Sequence, residues 1–311
     1  MTDSGFSPDP GALGVVIVTY NSSAVIGPCL DSLLAAPAPA MRIVVVDNAS
    51  ADDTVAKVGR RQGLHGVHTV ALIDAGCNGG YGAGVNLGLR QMPDLPFVWI
   101  LNPDCRVPPR TPSRLLDAAH RSMPFALLGG RTLYADPPGQ IQSEGGRVGR
   151  WTGVCRLVNR GRDRAAPGPP SGSLDFISGA NMLASRAFLD RAGPMDEDYF
   201  LYYEEVDWAA RRCDLPLKTC AEAVVYHQAG TAIGSPAPGR RATAFSNYFN
   251  YRSRMRFLRR HRPMALPVAA GFALAKTAQM ALGGAFSEAG GALAGTLGLP
   301  PPRAVRARLR G

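Results

Sequence analysis

The chain has 311 residues, 46% of them hydrophobic and 19% charged, and Lys plus Arg exceed Asp plus Glu by 34 to 24, a formal net charge of +10. This is enough apolar chain to bury a core in one large domain or two, which argues against a disordered chain. The six cysteines lack CxxC spacing, and the opening MTDSGFSPDPG lacks a basic then apolar leader pattern, so reduced thiols and a cytoplasmic protein are expected. No uncharged apolar run of about 18 residues occurs, so no membrane-spanning helix is expected.

Gly14 to Thr19 (GVVIVT) is a continuous β-branched run, as in a strand buried on both faces, and it ends in the polar turn YNSS. Ala24 to Leu34 reads as a helix with Gly27 and Pro28 tolerated in its first turn. Arg42 to Val46 is the second strand, ending at Asp47, and Ser50 to Asp53 (SADD) has the form of a capping box opening a helix to about Gln62. His68 to Ile73 is the third strand. After the Gly-rich CNGGYGAG a helix runs over Val85 to Gln91, and Phe97 to Leu101 is the fourth strand, stopping at NPD. The alternation predicts an α/β fold with ligands at the carboxyl ends of the strands. Arg114 to Ser122 resembles a surface helix, Gly145 to Gly172 a mobile loop, and AVVYH a strand ending at His227.

Gly82, Gly84 and Gly88, with Asp104 downstream, imitate a dinucleotide-binding fingerprint. That fingerprint belongs to the first strand of a sheet, and here it follows the third. A glycine-rich turn serving helix packing is the plainer reading. Asp47, Gly82 and Asp104 at successive strand ends would instead offer an acceptor for a base N–H, close backbone approach, and a hard oxygen for a divalent ion.

The ordered set VVIVTYNS, VVVDNASADDT, NGGYGAGVNLGL, WILNPDCRV, FISGANML, GPMDEDYFLYYEEVDWAARR and YHQAGTAIG resembles family 2 glycosyltransferases of the GT-A fold over roughly residues 13 to 262. Within them it is most similar to the rhamnosyltransferase-like branch. The resemblance implies a mostly parallel central sheet flanked by helices, with a GT-A catalytic domain over residues 13–235. Residues 1–12 are expected to be disordered and 236–311 to form a helical extension. It implies that Thr19, Asn21 and Asp47 hold the base and ribose, and that Asn78, Gly82 and Asn86 lie along the nucleotide. The family's DxD motif appears as Asn102-Pro103-Asp104, which leaves Asp104 as metal ligand, with His227 completing a site for Mg²⁺ or Mn²⁺. Ser178, Gly179 and Ala180, with Glu204 and Trp208, are the expected sugar and acceptor pocket.

In YFLYYEEVDWAARR, helical spacing pairs Asp207 with Arg211. Glu204 reads as a further member of a charged network or an acid at a helix N-terminus. Glu205 has no local cation. Attack by an acceptor hydroxyl needs a base, and the resemblance assigns that role to Glu205, the second acid of the motif. His65 and His68 read as surface residues. The arginines at 252, 254, 256, 259, 260 and 262, followed by the weakly apolar Met264 to Leu299, allow two readings: an interfacial helix pair on anionic lipid, or a solvated helix with the Ala-rich part packed on the catalytic domain. The expected reaction is inverting transfer of a sugar, rhamnose from dTDP-rhamnose, to a lipid-linked or polysaccharide acceptor at the inner membrane face. A galactofuranosyl- or N-acetylhexosaminyl-transferase and a non-catalytic sugar-nucleotide scaffold remain open. Nucleic acid is not an expected partner.

Overall fold

The computed structural model describes residues 13–228 and 241–310. Its first part runs β1 (Leu13–Thr19), α1 (Ile26–Leu34), β2 (Met41–Asp47), α2 (Thr54–Gly59), β3 (Gly63–His65), β4 (His68–Asp74), α3 (Tyr81–Leu89) and β5 (Phe97–Leu101). Then come β6 (Cys105–Arg106), α4 (Thr111–Ser122), β7 (Leu127–Tyr134), β8 (Ile141–Ser143), β9 (Gly146–Val148), β10 (Cys155–Leu157), β11 (Asn181–Ser185), α5 (Arg186–Ala192), α6 (Glu204–Ala210) and β12 (Lys218–His227). Four helices follow: α7 (Ala244–His261), α8 (Leu266–Leu282), α9 (Phe286–Leu297) and α10 (Arg303–Arg310). Residues 1–12 and the expected domain boundary at 235/236 lie outside the described residues.

One mixed sheet orders the strands β3-β4-β2-β1-β5-β11-β7-β12-β6, with β8 added beside β7. Strands β4, β2, β1 and β5 run parallel, as do β7 and β12, while β11 is antiparallel to both β5 and β7. The β-branched runs are buried on both faces because side chains alternate across each strand. Val15, Ile17, Ile43 and Val45 share one core with Ile26, Leu30 and Leu33 of α1, and Val16, Val18, Val44 and Val46 share another with Val85 of α3.

The glycines of α3 belong to this packing. A Cβ on Gly84 would stand 2.6 Å from Val18 Cγ1, and one on Gly88 would stand 2.5 Å from Val16 Cγ1. Helix α3 therefore rides close on β1, as the packing reading of GAGVNLG expects. The helix begins at Tyr81, four residues before the expected start.

Several expectations fail, each for a physical reason. SADD forms no capping box: Ser50 turns its hydroxyl to Asp47, and Asp53 makes no side-chain cap. His68 is buried, because its ring bridges the backbone N–H of Met41 and the carbonyl of Ala36. The segment 145–172 is built around a hairpin of β9 and β10 and is pinned by a buried ion pair. Arg131 on β7 bonds Glu144 at 2.7 Å and also reaches the carbonyls of Arg164 and Ala166. Glu144 in turn accepts from Asn159 at 2.6 Å. A polar clamp thus orders a segment too poor in apolar residues to order itself. By length and composition alone, the helical stretch Pro263–Leu282, 20 residues with mean hydropathy 1.3 and little buried, could also span a membrane, although Lys276 interrupts it.

The Ala- and Gly-rich part packs on α7. A Cβ at Gly291 would lie 2.3 Å from the Ala244 carbonyl oxygen, and one at Gly295 would lie 2.3 Å from that of Tyr248. Such backbone approach is open only to glycine. Gly88→Val should destabilise the fold by roughly 1–3 kcal/mol through overpacking against β1. Urea denaturation reads this directly; an unchanged midpoint would show that α3 does not need the close approach.

Candidate active site

A cleft of about 400 Å³ opens at the carboxyl ends of β1, β2 and β5. Thr19, Tyr20 and Ser22 enter it from the turn after β1, Asn48 from the turn after β2, and Asn78, Gly80 and Tyr81 from the start of α3. Asn102, Pro103 and Asp104 follow β5, and Ser178, Gly179 and Ala180 precede β11. Glu204, Glu205 and His227 complete the chemistry-bearing part. Most of the expected site residues therefore share one cavity.

Five do not line it. Asp47 is 1% exposed, and its carboxylate accepts from Thr19 Oγ1 at 2.8 Å, Ser50 Oγ at 2.6 Å and Ser50 N at 2.8 Å. It ties the first two turns together. Asn21, with φ +49°, does similar work from outside, accepting from Ala51 N at 2.8 Å. Gly82 faces Met195 and Glu204 within the packing, and Asn86 clamps Met195 through both its amide atoms while donating to Glu197 at 2.9 Å. Trp208 is a core residue: it is fully buried, stacked edge-on to Phe188, and donates to the Gly193 carbonyl at 2.8 Å. Aromatic bulk favours the core here, whereas helical spacing alone put it beside Glu204.

Asn48 takes the cleft position beside Asp47. Its amide donates to Gly80 O at 2.9 Å, and its Oδ1 is buried without a partner. That oxygen is enclosed against α3, 3.3 Å from where a Cβ on Gly84 would stand.

At the other end of the cleft, Asp104 Oδ1 lies 2.9 Å from His227 Nε2. His227 Nδ1 meets Gln142 Oε1 at 2.6 Å, which assigns the ring proton to Nδ1 and leaves Nε2 with a lone pair. The Asn102 amide also lies 3.3 Å from Nε2. Hard oxygen and imidazole nitrogen together suit a divalent ion. Cys105 Sγ lies in the same cluster, but it donates to Ala180 O at 3.5 Å, and burial pushes its thiol up, so Asp104 and His227 are the better ligands.

The acidic motif is aimed by strained backbone. Phe200, Tyr202 and Tyr203 have φ of +59°, +64° and +69°. Left-handed backbone at bulky residues costs about 1–3 kcal/mol each and persists only when the surroundings impose it. Here the tyrosines are pinned: Tyr203 donates to Gly153 O at 2.7 Å, Tyr202 bonds Ser246 Oγ at 2.7 Å, and Tyr199 donates to Asp207 at 3.2 Å. The Ser253 hydroxyl on α7 reaches the carbonyls of Tyr199 and Leu201. The turn delivers Glu204 and Glu205 into the cleft at the start of α6.

Among the described residues each acid has a buried Oε2 without a hydrogen-bond partner and neither pairs with a cation, so Glu204 is the acid at a helix N-terminus, in the first turn of α6, and not a member of a charged network. Burial pushes the Glu205 carboxyl up to about 7. Burial, then the charge of Glu205, holds that of Glu204 well above the carboxylate range. Tyr81 sits among these groups: burial, then Glu204, Glu205 and Asp104, keeps its phenol high, and it donates to Gly179 O at 2.8 Å. Asp207 is a different kind of acid. It is fully buried, paired with Arg211 at 2.9 Å as the spacing expects, and also with His261 at 2.7 Å.

Known proteins give this geometry a family. Residues 14–191 match the family model for Glycosyl transferase family 2. The N-acetylglucosaminyl-diphospho-decaprenol L-rhamnosyltransferase of Mycobacterium tuberculosis is 28% identical over 256 residues, an alignment covering 72% of this chain and 79% of that protein. The low-salt glycan biosynthesis hexosyltransferase Agl10 of Haloferax volcanii is 26% identical over 222 residues, covering 69% of this chain and 66% of that protein. Among solved structures, the mannosyltransferase PcManGT of Pyrobaculum calidifontis, in complex with GDP-Man and Mn²⁺, has a TM-score of 0.55 at 19% identity, covering 98% of this chain and 86% of that one. S. aureus TarS 1-349 has a TM-score of 0.51 at 17% identity, over 84% and 70% of the two chains. These likenesses are of fold, the GT-A fold. The chain belongs to glycosyl transferase family 2.

Proposed function

We propose that the protein transfers rhamnose from dTDP-rhamnose, with inversion, to a hydroxyl of a sugar carried on a polyprenyl diphosphate, in cell-envelope glycan synthesis. The observation that carries the catalytic reading is Glu205: a half-buried carboxyl, pushed up to about 7 and without a cation among the described residues, in the same cleft as the Asp104 and His227 pair. The donor and acceptor rest on the Mycobacterium tuberculosis relative.

In this reading the nucleotide lies along Thr19, Tyr20, Asn48 and Asn78. Asp104 and His227 would hold Mg²⁺ or Mn²⁺, which would supply positive charge for the donor diphosphate. Glu205 takes the proton of the acceptor hydroxyl as that oxygen bonds to the anomeric carbon. The bond from that carbon to the diphosphate oxygen breaks, and the nucleotide diphosphate leaves. One displacement inverts the centre. Gln142 keeps the His227 lone pair facing Asp104, and Glu204, held protonated beside Glu205, can donate a hydrogen bond to a sugar hydroxyl. A scaffold that only bound sugar nucleotide would have no use for a carboxyl pair largely withdrawn from water.

We also propose that the exposed apolar side chains of Met264, Leu282 and Phe286, which are 83%, 90% and 73% exposed, rest on the membrane that carries the acceptor. Arginine has the smaller share in this than the charge run suggested. Arg252 bonds the Asp198 carbonyl, Arg256 and Arg260 pair with Asp196, Arg262 bonds the Val148 carbonyl, and Arg254 is buried over the Tyr251 ring.

Glu205→Gln should lower kcat for rhamnosyl transfer by about 10²–10⁴ while leaving dTDP affinity intact; wild-type turnover would remove Glu205 as the base. Because the carboxyl must ionise to act, the wild-type rate should climb with pH and level off above about 7. A rate flat from pH 5 to 8 would point to another base. Thermal shift against UDP-, GDP- and dTDP-sugars with Mn²⁺ or Mg²⁺ tests the donor: dTDP-rhamnose should give the largest stabilisation, and Asp104→Asn should abolish its dependence on metal. A larger shift with a UDP-sugar would displace rhamnose. Replacing Met264, Leu282 and Phe286 together by Ser should reduce sedimentation with anionic liposomes, and equal sedimentation would place the membrane contact elsewhere.

A further inference from the structure

The cleft has a wall that the chemistry above does not use. It is formed by Phe200, Tyr202, Phe245, Arg308 and Leu309, and its last two members come from α10, at the far end of the chain. The helix is anchored there. The Pro302 carbonyl accepts from the N–H groups of Val305 and Arg306, and Val305 is fully buried in a cluster with Leu201, Tyr248, Phe249 and Ala294. Positions three and four residues on from an anchored side chain share its helix face, so Val305 determines where Arg308 and Leu309 emerge. The Arg308 guanidinium lies 5.2 Å from the centre of the Phe245 ring. Phe245 neighbours Phe249 at 4.9 Å, and Phe249 stacks on Phe200 at 4.7 Å. A second arginine, Arg160, also lines the cleft, with its Nε donating to the Tyr134 hydroxyl at 3.0 Å.

An aromatic and aliphatic surface that ends in a guanidinium matches a phosphate ester on an apolar chain. The rings and Leu309 take the hydrocarbon, and the fork of N–H donors takes the phosphate oxygens. In the reading above the donor diphosphate would be met by a cation held at Asp104 and His227, and the Phe200 to Tyr202 turn leads directly into Glu204 and Glu205. We propose that α10 covers the acceptor side of the cleft, that Arg308 binds a phosphate of the acceptor's polyprenyl diphosphate, and that Phe200, Phe245 and Leu309 hold the first isoprenoid carbons. This deepens the acceptor reading given above and rests on it.

The test uses the full chain and binding rather than turnover, with farnesyl diphosphate, farnesol and dTDP as probes. Farnesyl diphosphate should slow backbone hydrogen exchange over residues 303–310. Arg308→Ala should weaken it about tenfold or more, with Arg308→Lys partly restoring affinity. Farnesol, lacking the phosphates, should bind both forms equally weakly, and dTDP should bind both equally well. Equal farnesyl diphosphate affinity in wild type and Arg308→Ala would overturn the proposal. So would loss of dTDP in place of farnesyl diphosphate, which would give the guanidinium to the donor. A donor other than dTDP-rhamnose would remove the rhamnose assignment and leave these binding outcomes unaffected.

Discussion

The active site depends on a clamp between the acidic segment 195–211 and helix α7. Asp207 has no solvent exposure and lies between Arg211, His261 and the Tyr199 hydroxyl, while Asp196 and Asp198 receive Arg256 and Arg260. Removing one partner of a buried charge costs far more than an exposed pair is worth, about 3–5 kcal/mol against less than 1. This clamp is what can hold three aromatic residues in left-handed backbone. Without it the turn would relax, and Glu204 and Glu205 would leave the cleft.

The two groups of acid in that segment are thus divided by environment. Asp196, Asp198 and Asp207 are neutralised by cations and serve structure. Glu204 and Glu205 meet no cation among the described residues and are largely withdrawn from water, so their carboxyls are raised and one of them is left able to accept a proton near neutrality. Their ionisation also opposes folding. A carboxyl raised in the native state keeps protons that the unfolded chain releases, so its contribution is fully present below the unfolded value and declines as pH rises toward about 7. Stability is surrendered at the place where the reaction needs a base.

The C-terminal helices are part of the same construction. Helix α7 supports the acidic turn from behind, α9 lies against α7 through Gly291 and Gly295, and α10 returns to the mouth of the cleft. The chemistry-bearing residues of the cleft come from strand ends and the start of α6, between Thr19 and His227, but their backing and one wall come from the helices after residue 241. The extension is therefore an integral support of the site.

The sequence by itself determined β1, β2, β4, β5 and the end of β12, the α/β class and the family, but not β7 and β11, which complete the sheet between β5 and β12. β-branched runs buried on both faces leave no other use for GVVIVT and FVWIL, and the ordered motifs are specific as a set. It also determined the Asp207 and Arg211 pair, because helical spacing is local. Tertiary structure alone decided that Asn48 rather than Asp47 lines the cleft, that Trp208 and His68 are buried, and that Glu204 and Glu205 meet no cation among the described residues. These outcomes turn on which neighbours arrive from distant segments: Ser50 and Thr19 occupy the Asp47 carboxylate, and Phe188 and Gly193 claim Trp208. The arginines after residue 251 read as one basic run because one-dimensional spacing cannot show that their partners, Asp196 and Asp198, lie some 60 residues earlier. Only the fold brings those charges within hydrogen-bond distance.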